Sequence, residues 1–301
     1  MTNCIFLILV LLLSGPAYSE QLKEVSIGKH NFHVNSNRFN RMNSESSSNF
    51  IIFENKVKSN ARAFAPIEIQ EIPSMLLTVT IMPLHNAVVY ITFPDAGNML
   101  VILDSNVNPL TILPILDELM TKKKKEASLM KVIGWKPRLD WLVITDNHNS
   151  SNAILESIIN KFDVEEIITP TNTELVLKKE IKHIKLQPDE AINLMQTAAT
   201  IKMTSFGTKK INKNYLVLSL AYVDFSFLFL PEMPANFQKT IYKKYAGQLD
   251  NQIFITYNAE DEPAGAIYNK PSPGMIVSGN SKIKFITGGK MLYLTESDKN
   301  P

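Results

Sequence analysis

Residues 140–170, DWLVITDNHNSSNAILESIINKFDVEEIITP, constrain this chain more than any other stretch. A hydrophobic strand from Trp141 to Thr145 runs into a polar loop, Asp146 to Ser151. An amphipathic helix follows, with Ile154, Leu155, Ile158, Ile159 and Phe162 on one face, and a short strand is expected at Glu166–Thr169. A chain built on this unit must alternate strands with helices.

The flanking sequence extends the pattern. Leu77–Ile81, Val88–Phe93 and Met99–Leu103 are rich in β-branched and aromatic residues and read as strands, with turn chemistry at Pro94–Asn98. Leu110–Met120 reads as a helix entered near Pro109, its start shifted toward the C-terminus by Pro114. Thr171–Gln196 is expected to be helical in pieces. Strands are expected at Thr200–Phe206, Tyr215–Tyr222 and Phe225–Leu230, the last two joined by a tight turn at Val223-Asp224. A helix over Ala235–Ala246 ends at Gly247, followed by strands at Ile253–Tyr257, Gly274–Val277, Ile283–Ile286 and Met291–Leu294. Two comparable halves of sheet and helix imply two sheets packed face to face with helices outside.

The N-terminus reads as a leader. Cys4 to Leu13 is apolar, Gly15-Pro16 breaks the run, and Ala17-Tyr18-Ser19 supplies small residues, so cleavage is expected after Ser19. The run is shorter than the roughly 20 residues a spanning helix needs, so no transmembrane segment is expected after cleavage. Cys4, the only cysteine, lies inside the leader, which leaves an exported, secreted or periplasmic protein without disulfides. Residues 20–74 form a polar extension expected to be irregular, with short apolar pieces such as Phe50–Phe53 and Ile67–Ile69 as edge strands. Residues 75–301 form the main domain. Net charge is +2 with mixed signs, which argues against a nucleic-acid-binding surface. Lys122–Lys125 reads as a solvated loop.

The order of these elements, with their junction motifs, resembles the metallo-β-lactamase superfamily, and most closely the domain of ComEC-type DNA-uptake proteins. Phe93-Pro94-Asp95-Ala96-Gly97-Asn98 matches the family's F-P-D-G-K-N, and Val101-Ile102-Leu103-Asp104 matches its L-I-D. The family's T-H-x-[HD]-x-D-H falls on Thr145-Asp146-Asn147-His148-Asn149-Ser150-Ser151. Its L-D-V-G-Q-G-D-A is replaced by Ile81-Met82-Pro83-Leu84-His85-Asn86-Ala87. Its bridging aspartate falls on Glu232, and its late P-H-H-G-S falls near Tyr257–Asp261.

The resemblance implies a four-layer αββα sandwich of two mixed sheets. It also implies a cleft formed by the loops after Leu103, Thr145 and Leu230. A two-metal hydrolase needs several His and carboxylate ligands converging on ions that acidify a bound water, and a catalytic zinc typically takes three protein ligands. Here Asp146 stands for the first histidine of the loop motif, and Ser150 and Ser151 for its Asp-His pair. The implied site is therefore a degenerate pocket of His85, Asp104, Asp146, His148, Ser150, Ser151, Glu232 and Asn258. No cofactor and no catalytic residue are expected.

The expectation is an inactive relative, a pseudoenzyme of the bacterial envelope, that binds a protein or small-molecule partner. The alternative is a divergent hydrolase holding one divalent metal on Asp104, Asp146, His148 and Glu232. Bland readings compete: His148 as an ordinary loop histidine, Asp104 as a turn cap, and His30 and His33 as incidental.

Overall fold

The computed structural model describes residues 22–27, 30–35, 39–42, 50–55, 76–82, 88–104, 107–126, 136–146, 151–171, 173, 180–196, 199–208, 213–231, 233–234, 253–256, 275–277, 283–288 and 291–296. The leader, the helix expected over Ala235–Ala246, and Ile67–Ile69 lie outside the described residues.

The strands in chain order are β1 (Leu22–Ile27), β2 (His30–Asn35), β3 (Phe39–Met42), β4 (Phe50–Asn55), β5 (Leu77–Ile81), β6 (Val88–Thr92) and β7 (Asn98–Ile102). After helix α1 (Pro109–Glu126) comes β8 (Arg138–Ile144), then helix α2 (Ser151–Lys161) and β9 (Asp163–Pro170). The chain continues through β10 (Lys182–Leu186), β11 (Ala191–Gln196), β12 (Ala199–Thr208), β13 (Lys213–Tyr222) and β14 (Phe225–Leu230). It closes with β15 (Ile253–Thr256), β16 (Met275–Val277), β17 (Ile283–Thr287) and β18 (Met291–Glu296).

Ten strands form one sheet, in the order β10-β9-β8-β7-β6-β5-β17-β18-β4-β3, and eight form the other, β1-β2-β16-β15-β14-β13-β12-β11. Both are mixed. In the larger sheet β7, β8, β9 and β10 run parallel, and in the smaller β14, β15 and β16 do. The architecture is the αββα sandwich, with α1 and α2 forming the helix layer over the larger sheet.

Alternation along each strand builds two cores. Val79, Val101, Val143 and Ile168 face Met203, Leu218, Phe227 and Phe229 between the sheets. On the other face of the larger sheet, Leu100, Ile102, Leu142, Ile144 and Ile167 pack under Ile112 and Leu116 of α1 and Ile154, Leu155 and Ile158 of α2. Strands covered on both faces carry near-continuous apolar runs, which explains NMLVI in β7 and WLVI in β8. Phe227 lies near-parallel to Phe229 and edge-on to Phe285, at 6.4 and 5.8 Å between ring centres.

Four local expectations are corrected. The described residues of 171–196, expected to be helical in pieces, hold no helix and supply β10 and β11, because Ile184-Leu186 and Ile192-Leu194 repeat with period two on the inner face. Pro114 does not delay α1, which starts at Pro109 and carries Pro114 inside it. The carbonyl this proline leaves without its helical donor belongs to Leu110, whose residue is 78% exposed, so water can reach that part of the turn. Lys122–Lys125 lies in the last turns of α1 rather than in a loop, a placement favoured by the helix dipole. The stretch from 20 to 74, expected to be irregular, supplies β1 and β2 to the smaller sheet and β3 and β4 to the larger.

Candidate functional site

β7 and β8 run parallel with Ile102 level with Ile144. The chain runs two residues past the end of each strand, to Asp104 and to Asp146, so the pairing brings these two positions to one rim at the C-terminal ends of the strands. In open α/β sheets that is where ligands are taken. Asp104 is buried, at 4% exposure, and Asp146 is half-buried.

Thr145, between the strand and Asp146, is fully buried and ties three strands together. Its backbone N–H donates to Ile102 O at 3.1 Å and its hydroxyl to the same oxygen at 2.9 Å. Its own carbonyl accepts from Leu216 N of β13, in the opposite sheet, at 2.7 Å. The end of β8 is thus pinned across the sandwich.

Leu216 also locates the third expected loop. Leu218 pairs with Phe229 in the antiparallel β13–β14 ladder, so Leu216 stands level with the point where β14 gives way to buried Pro231. The chain after Leu230 therefore leaves its sheet at the same end of the sandwich as the chain after Thr145.

The rim has a polar floor that sequence reasoning missed. Ser205 of β12 pairs with Leu216, and Asn214 lies two residues along β13, diagonal to Ser205 on the inner face. Both are buried, at 0% and 2% exposure, and neither Ser205 Oγ nor Asn214 Nδ2 has a hydrogen-bond partner among the described residues. Buried polar groups of this kind are rare and need a reason. A signal was present: the inner faces Ile201-Met203-Ser205 and Leu218-Leu216-Asn214 both turn polar at the same end.

Other residues fall elsewhere. His33 pairs through its backbone with Ile276 of β16, toward the other edge of the smaller sheet. His183 Nε2 lies 2.9 Å from Thr169 Oγ1, and burial followed by the charge of Lys185 pulls its pKa below the ordinary histidine value. His85, His148, Ser150, Glu232 and Asn258 lie outside the described residues, as does the side chain of Ser151. Among the described residues no three of His, Cys, Asp and Glu converge. Among the described residues no helix is long and apolar enough to cross a membrane.

The opposite end of the same strands is charged and internally paired. Asp140 Oδ2 accepts from Asn98 N at 2.8 Å, and Asp140 Oδ1 from Arg138 Nε at 2.7 Å. Arg138 Nη2 reaches Glu165 Oε2 at 2.6 Å. Trp141 Nε1 donates to Glu166 Oε2 at 3.0 Å, and the Trp141 ring meets Phe93 edge-on.

No protein-family profile and no curated protein matches the sequence. Solved structures do match in shape. The metallo-beta-lactamase fold protein YhfI from Bacillus subtilis is 11% identical over 70% of this chain and 99% of that one, with a TM-score of 0.42. The class B3 di-zinc metallo-beta-lactamase LRA-12 from an Alaskan soil metagenome is 11% identical over 64% and 83%, with a TM-score of 0.35. CmlA, a diiron beta-hydroxylase from Streptomyces venezuelae, is 13% identical over 59% of this chain, which spans 34% of CmlA, with a TM-score of 0.34. These are likenesses of fold; the sandwich described above rests on strand order, register and the helix layer.

Proposed function

We propose that this chain is an exported, catalytically inactive protein of metallo-β-lactamase type that acts by binding. Its site is the rim formed after Leu103, Thr145 and Leu230. The observation that carries this reading is the polar floor: Ser205 Oγ and Asn214 Nδ2 are buried with no partner among the described residues, on β12 and β13 beside Leu216, which pins the end of β8. A polar molecule that reaches these groups supplies hydrogen bonds that the described residues leave unmade.

The loop sequence supports the same reading. From Asp146 to Ser151 it offers one carboxylate, two amides, two hydroxyls and a single imidazole. That set suits hydrogen bonding better than holding a pair of metal ions. Export rests on the leader ending at Ser19, and the ComEC-type likeness on the matches around Phe93–Asn98 and Asp104.

The second reading, a hydrolase with one metal on Asp104, Asp146, His148 and Glu232, draws support from the shared rim of the two aspartates. Metal analysis of protein purified without chelator separates the two. Substoichiometric metal, unchanged in His148→Ala, is expected. Stoichiometric zinc, manganese or iron that is lost in His148→Ala overturns the binding-only reading.

A further inference from the structure

The sandwich has four outer strands: β3 and β10 edge the larger sheet, β1 and β11 the smaller. An edge strand offers unmade backbone hydrogen bonds to any passing strand, and proteins guard such edges with charge, proline or bulges. β1 carries Lys23 and Glu24, β3 carries Arg41, and β10 carries Lys182 and Lys185. β11, Ala191-Ile192-Asn193-Leu194-Met195-Gln196, carries no charge, no proline and no glycine, and its ladder with β12 runs without a bulge.

The core, among the described residues, is also open on this side. Among the described residues, the partly buried hydrophobics packed against the inter-sheet core are Trp141, Ile184, Ile192 and Leu194. All four belong to β8, β10 and β11. Ile192 and Leu194 pair with Met203 and Ile201, which are fully interior, so the inner face of β11 continues the core up to the sheet edge and stops there half-covered.

We propose that β11 is the interface of a symmetric dimer, in which the β11 edges of two copies pair antiparallel and join two eight-stranded sheets into one. Charge selects this occupant. In a two-fold antiparallel pair each strand faces its own sequence, so a charged edge meets like charges, which is destabilising. β10 would set lysines near lysines; β11 sets Asn193 and Leu194 near their own mates. The same pairing brings the Ile192 and Leu194 side chains of each copy beside those of the other and covers the open end of the core. This interface is independent of the rim proposed as the binding site.

The test is solution mass by sedimentation velocity on the full chain and two variants, Asn193→Lys and Asn193→Glu. Asn193 is exposed, so both variants are expected to fold, with melting midpoints near that of the parent. The parent is expected to dimerise with concentration. Each variant alone should associate at least tenfold more weakly, and an equimolar mixture of the two should recover the dimer through opposite charges. A parent that stays monomeric up to roughly 100 μM, between the micromolar and millimolar steps of the affinity scale, overturns the proposal. So do variants that dimerise like the parent, or a mixture that stays monomeric.

Discussion

At the start of β8, Arg138 and Asp140 are tied sideways to Asn98 and Glu165, whereas at its end Thr145 is tied across the sandwich to Leu216. The first set of bonds stays within one sheet and runs from the Arg138 side chain, 62% exposed, to the part-buried bond between Asp140 and Asn98. The second set is buried and sets how far one sheet stands from the other at the rim where Asp104 and Asp146 emerge. Charge at the far end tunes the scaffold, and neutral buried groups at the near end shape the site. The carboxylates of the two ends therefore carry different meanings although the residue types are the same.

The comparison can be broken by substitution. Asp140→Ala has the largest expected effect, a loss of about 2 kcal/mol by chemical denaturation, because the buried backbone N–H of Asn98 loses its acceptor. Thr145→Val should cost about 1 kcal/mol, since Ile102 O keeps the Thr145 N–H when the hydroxyl is removed. If Thr145→Val proves the costlier of the two, the inter-sheet tie is the stronger anchor and the contrast between the ends must be redrawn.

Val223→Gly, in the turn at the far end, should raise stability by about 1 kcal/mol. A β-branched residue held at φ 51° is strained there, and glycine is not. The gain should come with unchanged metal content and unchanged solution mass, since the turn lies at the end opposite the rim and joins β13 to β14, two strands in from the β11 edge. A change in either would show that the far end is more than scaffold.

The smallest effect concerns pH. His183 in the folded chain holds a proton less readily than in the unfolded one, so its contribution to stability is present above pH about 6.5 and fades as pH falls below that value. His183→Gln should flatten the melting midpoint between neutral and mildly acidic pH. An unchanged slope would remove His183 as the cause.

Much of the fold was legible in local pattern. β5 to β9 and α2 appear where apolar periodicity places them, because strands and helices sandwiched between two layers must be apolar in a recognisable rhythm. β10 and β11 were not legible, because Ile184 and Ile192-Leu194 are short alternations embedded in lysines, prolines and asparagines that suit several conformations. Their strand state comes from pairing with Ile168 and with Met203 and Ile201. Half of the described site was visible too. Asp104 and Asp146 follow strong strands, so their place at strand ends could be read directly. For Ser205 and Asn214 the sequence held only the polar end of each apolar strand, and the β12–β13 register was needed to set the two diagonal.

By itself the sequence determined the strand and helix segments of the central units, the turn at Val223-Asp224, and the loss of most imidazoles from the loop after Thr145. These are local matters of side-chain period, backbone preference and residue identity. Only the tertiary structure decided that Asp104 and Asp146 share a rim, that Thr145 bridges to Leu216, and that β11 ends a sheet with the core half-covered. Each depends on register between segments far apart in the chain, and register follows from which faces can be buried together.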